Sequence, residues 1–293
     1  MAAMVNVNGQ MYDAERAVVS VFDHGFLYGE GIYETLRTYG GPPFLFDRHM
    51  KRLRTSADML SLTVPLDDRQ IADRMQETAQ AAGLWGSTAA YIRILITRGV
   101  GDLTYDPAAC PTPSVVVIVK ALQETAQKVY DEGVTVVIVS VVRNHPGSVS
   151  PLIKSNNLLN SALAMQEAVK RGAFEGIMRN YRGELAECST SNLFVVKGGA
   201  ALTPPVDAGL LPGITREFLF EVGEDAGIPV REQVMKDADL FGADEAFFTS
   251  TTREIVPIVR ADARTIGSGR PGPVTKALLE AFRRKAAALQ ASV

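Results

Sequence analysis

Alternating apolar and polar positions predict strands in the first half of the chain. Residues 5–12 form a candidate hairpin that turns at Asn8-Gly9, and a longer strand is predicted at residues 32–39. Because side chains alternate across a strand, Tyr33 and Arg37 point to the same face. An aromatic ring and a guanidinium therefore share one face of a predicted sheet.

A second alternating run, residues 91–98, predicts a strand that carries two arginines. Arg93 shares its face with Tyr91, whereas Arg98 has the opposite parity and points to the other face. We therefore do not expect Arg93 and Arg98 to serve the same pocket.

Apolar residues that recur every three to four positions predict helices between the strands. One helix is expected to begin at an Asp47 cap, and another to cover residues 67–82. A third is expected to begin at a Ser155 cap and to end at Gly172. Its predicted apolar stripe comprises Leu158, Ala162, Met165 and Val169. Two more helices are predicted, at about residues 215–226 and 273–288.

The mixture of strands and helices predicts a mixed α/β (α+β) fold class. One predicted strand ends near residue 121 and the next begins at Val134. We therefore expect two domains, residues 1–121 and 134–293, joined by a linker at residues 122–133.

Charge and composition favour small molecules as partners. The 293 residues are 46% hydrophobic, and 30 Lys+Arg against 33 Asp+Glu leave a net charge of −3 without charged blocks. Neither nucleic acid nor a membrane is therefore expected as a partner. The first residues lack an export signal and the only cysteines are Cys110 and Cys188, which favours the cytoplasm. The histidines (His24, His49 and His145) are not spaced as metal ligands, so no metal is expected.

The segment from Ser150 to Asn160 carries the first candidate for chemistry. Lys154 follows the apolar residues 151–153 and comes directly before Ser155, at the predicted start of a helix. Partial desolvation there would lower the pKa of the lysine and make its amine a nucleophile. On this pattern alone, a solvated surface lysine remains the alternative.

Two hydroxyl-rich bends and one carboxylate are further candidates in the second half. Residues 211–216 open a predicted helix whose free N–H groups, together with the Thr215 hydroxyl, suit a phosphate, although a plain cap explains Thr215 equally well. Residues 249–254 form a second bend with several donors. No GxxxxGK[ST] motif occurs, so a single phosphate fits better than a nucleotide. With a lysine and a phosphate site, one acid such as Glu187 is what pyridoxal phosphate requires, because it keeps the pyridine nitrogen protonated.

Six segments together resemble a known family. They are Asp23 to Glu34, His49 to Leu53, Ile153 to Ser155, Glu187 to Phe194, Leu211 to Arg216 and Thr249 to Ile255. This set is similar to the class IV (fold type IV) pyridoxal-phosphate-dependent aminotransferases, which include branched-chain aminotransferases, D-amino-acid aminotransferases and aminodeoxychorismate lyase. The segments follow the order found in that family over nearly the whole chain.

The resemblance implies a two-domain enzyme, with a smaller N-terminal α/β domain, a larger C-terminal domain and pyridoxal 5′-phosphate at their interface. It implies that Lys154 is the Schiff-base lysine and moves the proton between the substrate Cα and the cofactor C4′. Glu187 would pair with the pyridine nitrogen. The other implied cofactor contacts are Arg52, Leu211, Ile214, Thr215 and Thr251, with Leu211 packed on the ring. Members of this family are usually homodimers whose active sites include a loop of the partner.

The resemblance also implies substrate contacts, for amino acid and 2-oxoacid substrates. These residues are Tyr28, Tyr33, Arg37, Tyr91, Arg93, Arg98 and Thr252. Most of them resemble the branched-chain branch, in which aromatic residues line an apolar pocket and an arginine receives the distal carboxylate of glutamate. Thr97-Arg98-Gly99 instead resembles the D-amino-acid branch, whose arginine binds the α-carboxylate. Thr35 and Leu159 stand where branched-chain enzymes tend to carry glycine and tyrosine.

We favour a transaminase that acts on branched-chain L-amino acids with 2-oxoglutarate. The first alternative is a D-amino-acid transaminase that also accepts (R)-amines, and the second is aminodeoxychorismate lyase. A protein that keeps the fold without catalysis is the alternative from another class.

Overall fold

The chain forms two β-sheets, and each sheet belongs to a separate unit. The structure, a computed structural model, describes residues 3–86 and 89–291. The first unit comprises the described residues of Met1–Gln123, Ile153–Leu158 and Gln290–Val293, and the second comprises Glu124–Leu152 and Leu159–Leu289. The segment that carries Lys154 therefore groups with the first unit, although it lies within residues 134–293, which were predicted as the second domain. The predicted mixture of helices and sheets is confirmed.

The sheet of the first unit is antiparallel. Its strands are β1 (Met4–Val7), β2 (Gln10–Asp13), β3 (Gly31–Arg37), β4 (Ala90–Thr97) and β5 (Ser114–Ala121). They are arranged in the order β2-β1-β5-β4-β3, so β3 is an edge strand. The predicted turn at Asn8-Gly9 joins β1 to β2, and its φ angles of 52° and 90° are those that a two-residue hairpin turn of type I′ requires.

Two of the three α-helices described in the first unit cover one face of its sheet. The helices are α1 (His24–Leu27), α2 (Phe46–Met59) and α3 (Asp68–Ala81). Met50 and Leu53 of α2 are fully buried with Ile32 and Leu36 of β3 in one apolar cluster. The opposite face of β3 and β4 is mostly half-buried, which leaves it as the place for functional side chains.

Asp47 is not the cap of α2, contrary to the prediction. The helix begins one residue earlier, and the capping position is Leu45, which adopts φ 53° and offers no side-chain hydrogen bond. The left-handed turn at Leu45 directs the chain into the helix. Asp47 therefore lies within the first turn, where a carboxylate is favourable to the helix dipole.

The second unit contains five α-helices and nine strands within the described residues. They are α4 (Gln127–Glu132), β6 (Val134–Ile138), α5 (Leu159–Lys170), β7 (Glu175–Arg179), β8 (Leu185–Cys188), β9 (Asn192–Lys197), β10 (Ala200–Thr203), α6 (Ile214–Ala226), β11 (Val230–Glu232), α7 (Asp237–Phe241), β12 (Glu245–Ser250), β13 (Glu254–Ala261), β14 (Arg264–Thr265) and α8 (Pro273–Ala291). The strand order is β11-β10-β9-β12-β13-β6-β7-β8, with β14 beside β13. Helix α4 lies within residues 122–133, which were predicted as a linker.

Helix α5 starts later than predicted and buries a different face. Its buried residues are Ala164 and Ala168, whereas Val169 of the predicted stripe is 64% exposed. A Cβ on Gly176 of β7 would lie 3.0 Å from the Ala164 carbonyl oxygen and 3.4 Å from the Ala168 Cβ. The helix lies so close to the sheet that only small side chains fit between them, so the larger apolar residues are displaced outward.

Among the helices of residues 3–86 and 89–291, none is both long and apolar enough to cross a membrane.

Candidate active site

Lys154 lies on an extended segment that pairs with the edge of the first sheet. The Tyr33 N–H of β3 donates to the Lys154 carbonyl oxygen over 2.9 Å, and an isolated antiparallel bridge joins Ile32 to Ser155. The Lys154 N–H donates in turn to the Ser56 Oγ of α2 over 3.1 Å. The backbone of the lysine is therefore held by both neighbouring elements.

This pairing explains why Ser155 is not the predicted helix cap. Helix α5 begins only at Leu159, and the Ser155 Oγ accepts a hydrogen bond from the Asn157 N–H within the connecting loop. A backbone that is bonded to a strand cannot at the same time adopt helical geometry. Pairing with the edge of β3 thus outweighs the local preference of the segment for a helix.

The ring of Tyr33 contacts two cationic side chains. The Lys154 Nζ lies 4.4 Å from the ring centroid and the Arg93 guanidinium carbon lies 4.1 Å from it. Both distances are within the range of a cation–π interaction. An amine and a guanidinium are therefore held at one aromatic ring.

Four of the predicted substrate residues lie on the same face of the first sheet. Arg93 is paired with Thr35, two positions from Tyr33, and Arg37 is paired with Tyr91. Arg37 stacks over the ring of Tyr39 at 3.9 Å. The strand parity therefore brings together Tyr33, Arg37, Tyr91 and Arg93.

Arg98 lies on the other face, and its guanidinium is hydrogen-bonded to other groups of the chain. Its Nε donates to the carboxylate of Glu30, and its two terminal nitrogens donate to the carbonyl oxygens of Leu60 and Ser61 at 2.8 and 3.1 Å. The guanidinium therefore closes the carboxyl end of α2. Tyr28 lies elsewhere, just after α1, where its ring packs against those of His24 and Tyr105 at centroid distances of 4.9 and 5.0 Å.

Arg52 belongs to a buried ion cluster that the sequence analysis missed. The Glu34 carboxylate accepts hydrogen bonds from the Arg52 Nε and Nη2 at 2.7 and 2.8 Å, and its Oε2 lies 2.7 Å from the His49 Nδ1. Burial opposes the ionised form of Glu34, but Arg52 and His49 outweigh it and hold the pKa of the carboxyl well below its usual range.

His49 is the neutral member of this cluster at neutral pH. Burial lowers the pKa of the imidazole, Glu34 opposes that effect, and the nearby cations Arg52 and Lys154 lower the pKa further. A neutral His49 whose Nδ1 carries the proton can donate to Glu34.

Glu187 lies at the centre of a polar network in the second unit. Its Oε1 accepts from the Arg143 Nε over 2.7 Å, and its Oε2 accepts from the Asn192 Nδ2 and the Leu211 N–H, each over 3.2 Å. Arg143 is held in turn by Asn160, whose Oδ1 lies 3.1 Å from the Nη1. Arg143, Asn160 and Asn192 had no predicted role, because they lie in three different segments: the loop after β6, α5 and β9.

The start of α6 has the features of an anion site. Gly213 is the capping residue and has no side chain that could bond the N–H groups of the first turn. A Cβ on Gly213 would lie 2.0 Å from the Asn192 Oδ1, so only glycine fits at this position. Ile214 and Thr215 follow it and are both buried. Asn192 thus connects the helix start to Glu187.

Thr251 and Thr252 lie in the turn between β12 and β13 and are half-buried. Arg253 anchors this turn, because its Nη2 donates to the Glu175 Oε2 and the Thr190 Oγ1 at 3.0 and 2.6 Å. Thr249, at the end of β12, has a buried hydroxyl without a hydrogen-bond partner among the described residues, and it pairs with Asn192 across the sheet. The turn therefore presents several hydroxyl groups on a rigid support.

A comparison with protein families identifies the kind of chain to which these residues belong. The model of the family described as amino-transferase class IV matches residues 31–261. The chain belongs to the class IV aminotransferases. The predicted family and the predicted type of enzyme, an aminotransferase, are therefore confirmed.

Relatives with three different names resemble this aminotransferase over almost its whole length. A putative branched-chain-amino-acid aminotransferase of Methanocaldococcus jannaschii is 38% identical over 95% of each chain. The D-alanine aminotransferase of Staphylococcus haemolyticus is 34% identical over 96% of each chain. The aminodeoxychorismate lyase of Bacillus subtilis is 32% identical over 96% of this chain and 94% of its own.

Two solved structures show the same fold. The branched-chain amino acid aminotransferase of Escherichia coli superposes with a TM-score of 0.91 at 32% identity, over 97% of this chain and 94% of its own. A second branched-chain amino acid aminotransferase, solved with pyridoxamine 5′-phosphate, has a TM-score of 0.91 at 29% identity, over 98% and 94%.

Proposed function

We propose that this aminotransferase uses pyridoxal 5′-phosphate to move the amino group of branched-chain L-amino acids to 2-oxoglutarate. Its relatives include branched-chain aminotransferases, one of them solved with a phosphorylated pyridoxamine. The observation that carries the choice of substrate is the placement of the arginines. Arg93 shares the Tyr33 ring with Lys154, whereas Arg98, on which the D-amino-acid resemblance rested, is bonded to Glu30 and to α2.

The chemistry of the donor groups fits this cofactor. The second unit offers a helix start whose capping residue is a glycine that tolerates no side chain, a carboxylate in a fixed network and the buried hydroxyl of Thr249, which has no hydrogen-bond partner in the described part of the chain. The first unit offers the anchored amine of Lys154. When bound, the cofactor supplies an electron sink that stabilises the charge left on the substrate Cα after proton removal.

The residues of the chain have separate roles in this proposal. The Lys154 Nζ would hold the cofactor through its aldehyde carbon and would be the base that takes the proton from the substrate Cα. Glu187, held by Arg143 and Asn192, would keep a negative charge at the pyridine nitrogen. Arg52, Ile214, Thr215 and Thr251 would hold the phosphate, and Leu211 would pack on the ring.

The face of the first sheet provides the substrate contacts in this proposal. Arg93 receives the distal carboxylate of glutamate or 2-oxoglutarate, because its guanidinium lies at the same ring as the reacting amine. Tyr33 and Tyr91 line the side-chain pocket, and Tyr28, Arg37 and Thr252 are further proposed substrate contacts. Aromatic and aliphatic linings discriminate a methylene by only about 1–3 kcal/mol, so several aliphatic amino acids should be accepted.

The stereochemical preference gives the direct test. With 2-oxoglutarate as the acceptor, L-leucine is expected to give a kcat/KM at least about tenfold above that of D-alanine, because Arg98 is not available for an α-carboxylate. The measurement is the rate of glutamate formation with each donor. A preference for D-alanine or for an (R)-amine would favour the D-amino-acid alternative. Release of pyruvate from aminodeoxychorismate without an oxoacid acceptor would favour the lyase.

We also propose that the chain forms a homodimer in the cytoplasm, where its two buried cysteines remain unpaired. The support for a dimer is a set of exposed apolar side chains on the first unit. Phe26, Leu103 and Tyr105 are 68%, 69% and 87% exposed. Segment 20–26 and loop 99–105 lie side by side, because the Gly101 N–H donates to the Phe22 carbonyl oxygen over 3.2 Å. A monomer rarely leaves so many neighbouring apolar groups in water.

Leu103→Asp is expected to convert this dimer to a monomer, because the charge would be buried at the interface without a partner. Sedimentation velocity would show the fall in mass. Val234→Asp, at an exposed apolar residue of the second unit, is the matched control and should leave the mass unchanged. A wild-type chain that sediments as a monomer would disprove the homodimer.

A further inference from the structure

Glu34 is a carboxylate without solvent contact on an otherwise apolar strand face. It lies between Ile32 and Leu36, and all three are 0% exposed. A buried charge of this kind is costly unless it is paired and hydrogen-bonded. Glu34 meets that condition with two bonds from Arg52 and one from His49. Bidentate pairing of this kind fixes the plane of a guanidinium as well as its position.

One face of α2 carries the partners of both Glu34 and Lys154. His49, Arg52 and Ser56 are separated by three and four residues, so they lie on the same side of the helix. His49 and Arg52 contact Glu34, and the Ser56 Oγ accepts from the Lys154 N–H at 3.1 Å. The arginine and the lysine are thus positioned by the same helix.

Strand β3 also holds both Lys154 and Arg52, through two consecutive residues. The backbone N–H of Tyr33 holds the Lys154 carbonyl oxygen, and the side chain of the next residue, Glu34, holds Arg52. A displacement of β3 relative to α2 would therefore move both groups together. The distance between the guanidinium and the amine is set by elements that are already packed in one core.

A role of the Glu34–Arg52 ion pair in stability alone would explain why Glu34 is buried. It would not explain why the same helix and strand hold both Arg52 and Lys154. A hydrophobic pair of the same size often stabilises a core as well or better. We propose that Glu34 is a positioning residue that holds the Arg52 guanidinium in the orientation required for the cofactor phosphate. This inference rests on the proposed function, in which Arg52 binds that phosphate.

The test separates phosphate binding from general stability by comparing two ligands. Cofactor-free protein is titrated with pyridoxal 5′-phosphate and with pyridoxal, which has the same aldehyde and ring but no phosphate. The dissociation constant of pyridoxal divided by that of pyridoxal 5′-phosphate measures how much the phosphate contributes to affinity. For Glu34→Gln, we expect this ratio to fall by about tenfold, as for the loss of one well-aligned charge-assisted hydrogen bond.

Two further variants make the result decisive. Glu34→Asp keeps the charge but withdraws it by one methylene, so it should lower the ratio even if Glu34→Gln does not fold. Adding Glu34→Gln to Arg52→Gln should lower the ratio no further than Arg52→Gln alone, because the two residues act as one unit. The control is Arg54→Gln, which removes the half-buried partner of Asp68 from another face of α2 and should leave the ratio unchanged.

The outcomes are distinguishable. If the Glu34 variants lower the melting temperature and weaken both ligands equally, the role of Glu34 is structural and the inference is wrong. An additive effect in the double variant would also overturn it. If the wild-type protein binds neither aldehyde, it is the proposed function that fails.

Discussion

Replacement of Lys154 by alanine is expected to lower the turnover number with L-leucine and 2-oxoglutarate by about 10⁴-fold. The variant loses the nucleophile and the base at once, and no other lysine is positioned to replace it at the Tyr33 ring among the described residues. The backbone of the segment should be little affected, because its bonds to Tyr33 and Ser56 involve only main-chain groups of residue 154. The measurement is the steady-state rate of glutamate formation.

Two controls make this result specific. Added methylamine should restore part of the lost rate, since a small amine can carry the proton in place of the missing side chain. Lys51→Ala, at an exposed position of α2, should retain the wild-type rate. Borohydride reduction of the wild type with its cofactor should label Lys154. Full turnover by Lys154→Ala, or a label on another lysine, would disprove the proposed mechanism.

Replacement of Glu187 by glutamine is expected to lower the turnover number by about 10³-fold. The amide is close in size to the carboxylate but carries no negative charge, so it cannot keep the pyridine nitrogen protonated. Because Glu187 and Asn192 are linked to the start of α6, the isosteric change should leave the phosphate contacts in place. The rate should therefore fall even at saturating cofactor. Glu187→Asp, which keeps the charge, should lose less.

This substitution also leaves Arg143 without its carboxylate in a mostly buried position, so the melting temperature should fall. The double variant Glu187→Gln/Arg143→Gln should recover part of that stability without recovering activity. Thermal unfolding and kinetics of the same samples separate the two effects. Recovery of activity in the double variant would mean that Glu187 acts only through folding.

The strand parities were predictable from the sequence because side-chain alternation is a local property. Tyr33 shares a face with Arg37, and Tyr91 with Arg93, as expected, whereas the register of β3 against β4 brings the two pairs together. The same parity placed Glu34 on the buried face between apolar residues, and this signal was present in the sequence but was not used. A charged residue at such a position requires a partner, and His49 and Arg52 are found in a single helix nearby.

The helix caps show where local patterns fail. Asp47 and Ser155 both have the right residue type at about the right place, yet neither caps a helix. In the first case a left-handed turn at Leu45 starts the helix early. In the second case the edge of β3 binds the segment as a strand.

The sequence by itself determined the order of the motifs and the parity of side chains along each strand, and it carried the proposal that Lys154 is the reactive lysine, since these depend on residues close together in the chain. Only the tertiary structure decided that Arg98 closes the end of α2, that Arg143 pairs with Glu187 and that Lys154 is held between β3 and α2. The reason is physical. A hydrogen-bond partner of a buried charge is chosen by which distant segments pack against it, and no periodicity of the chain encodes that choice.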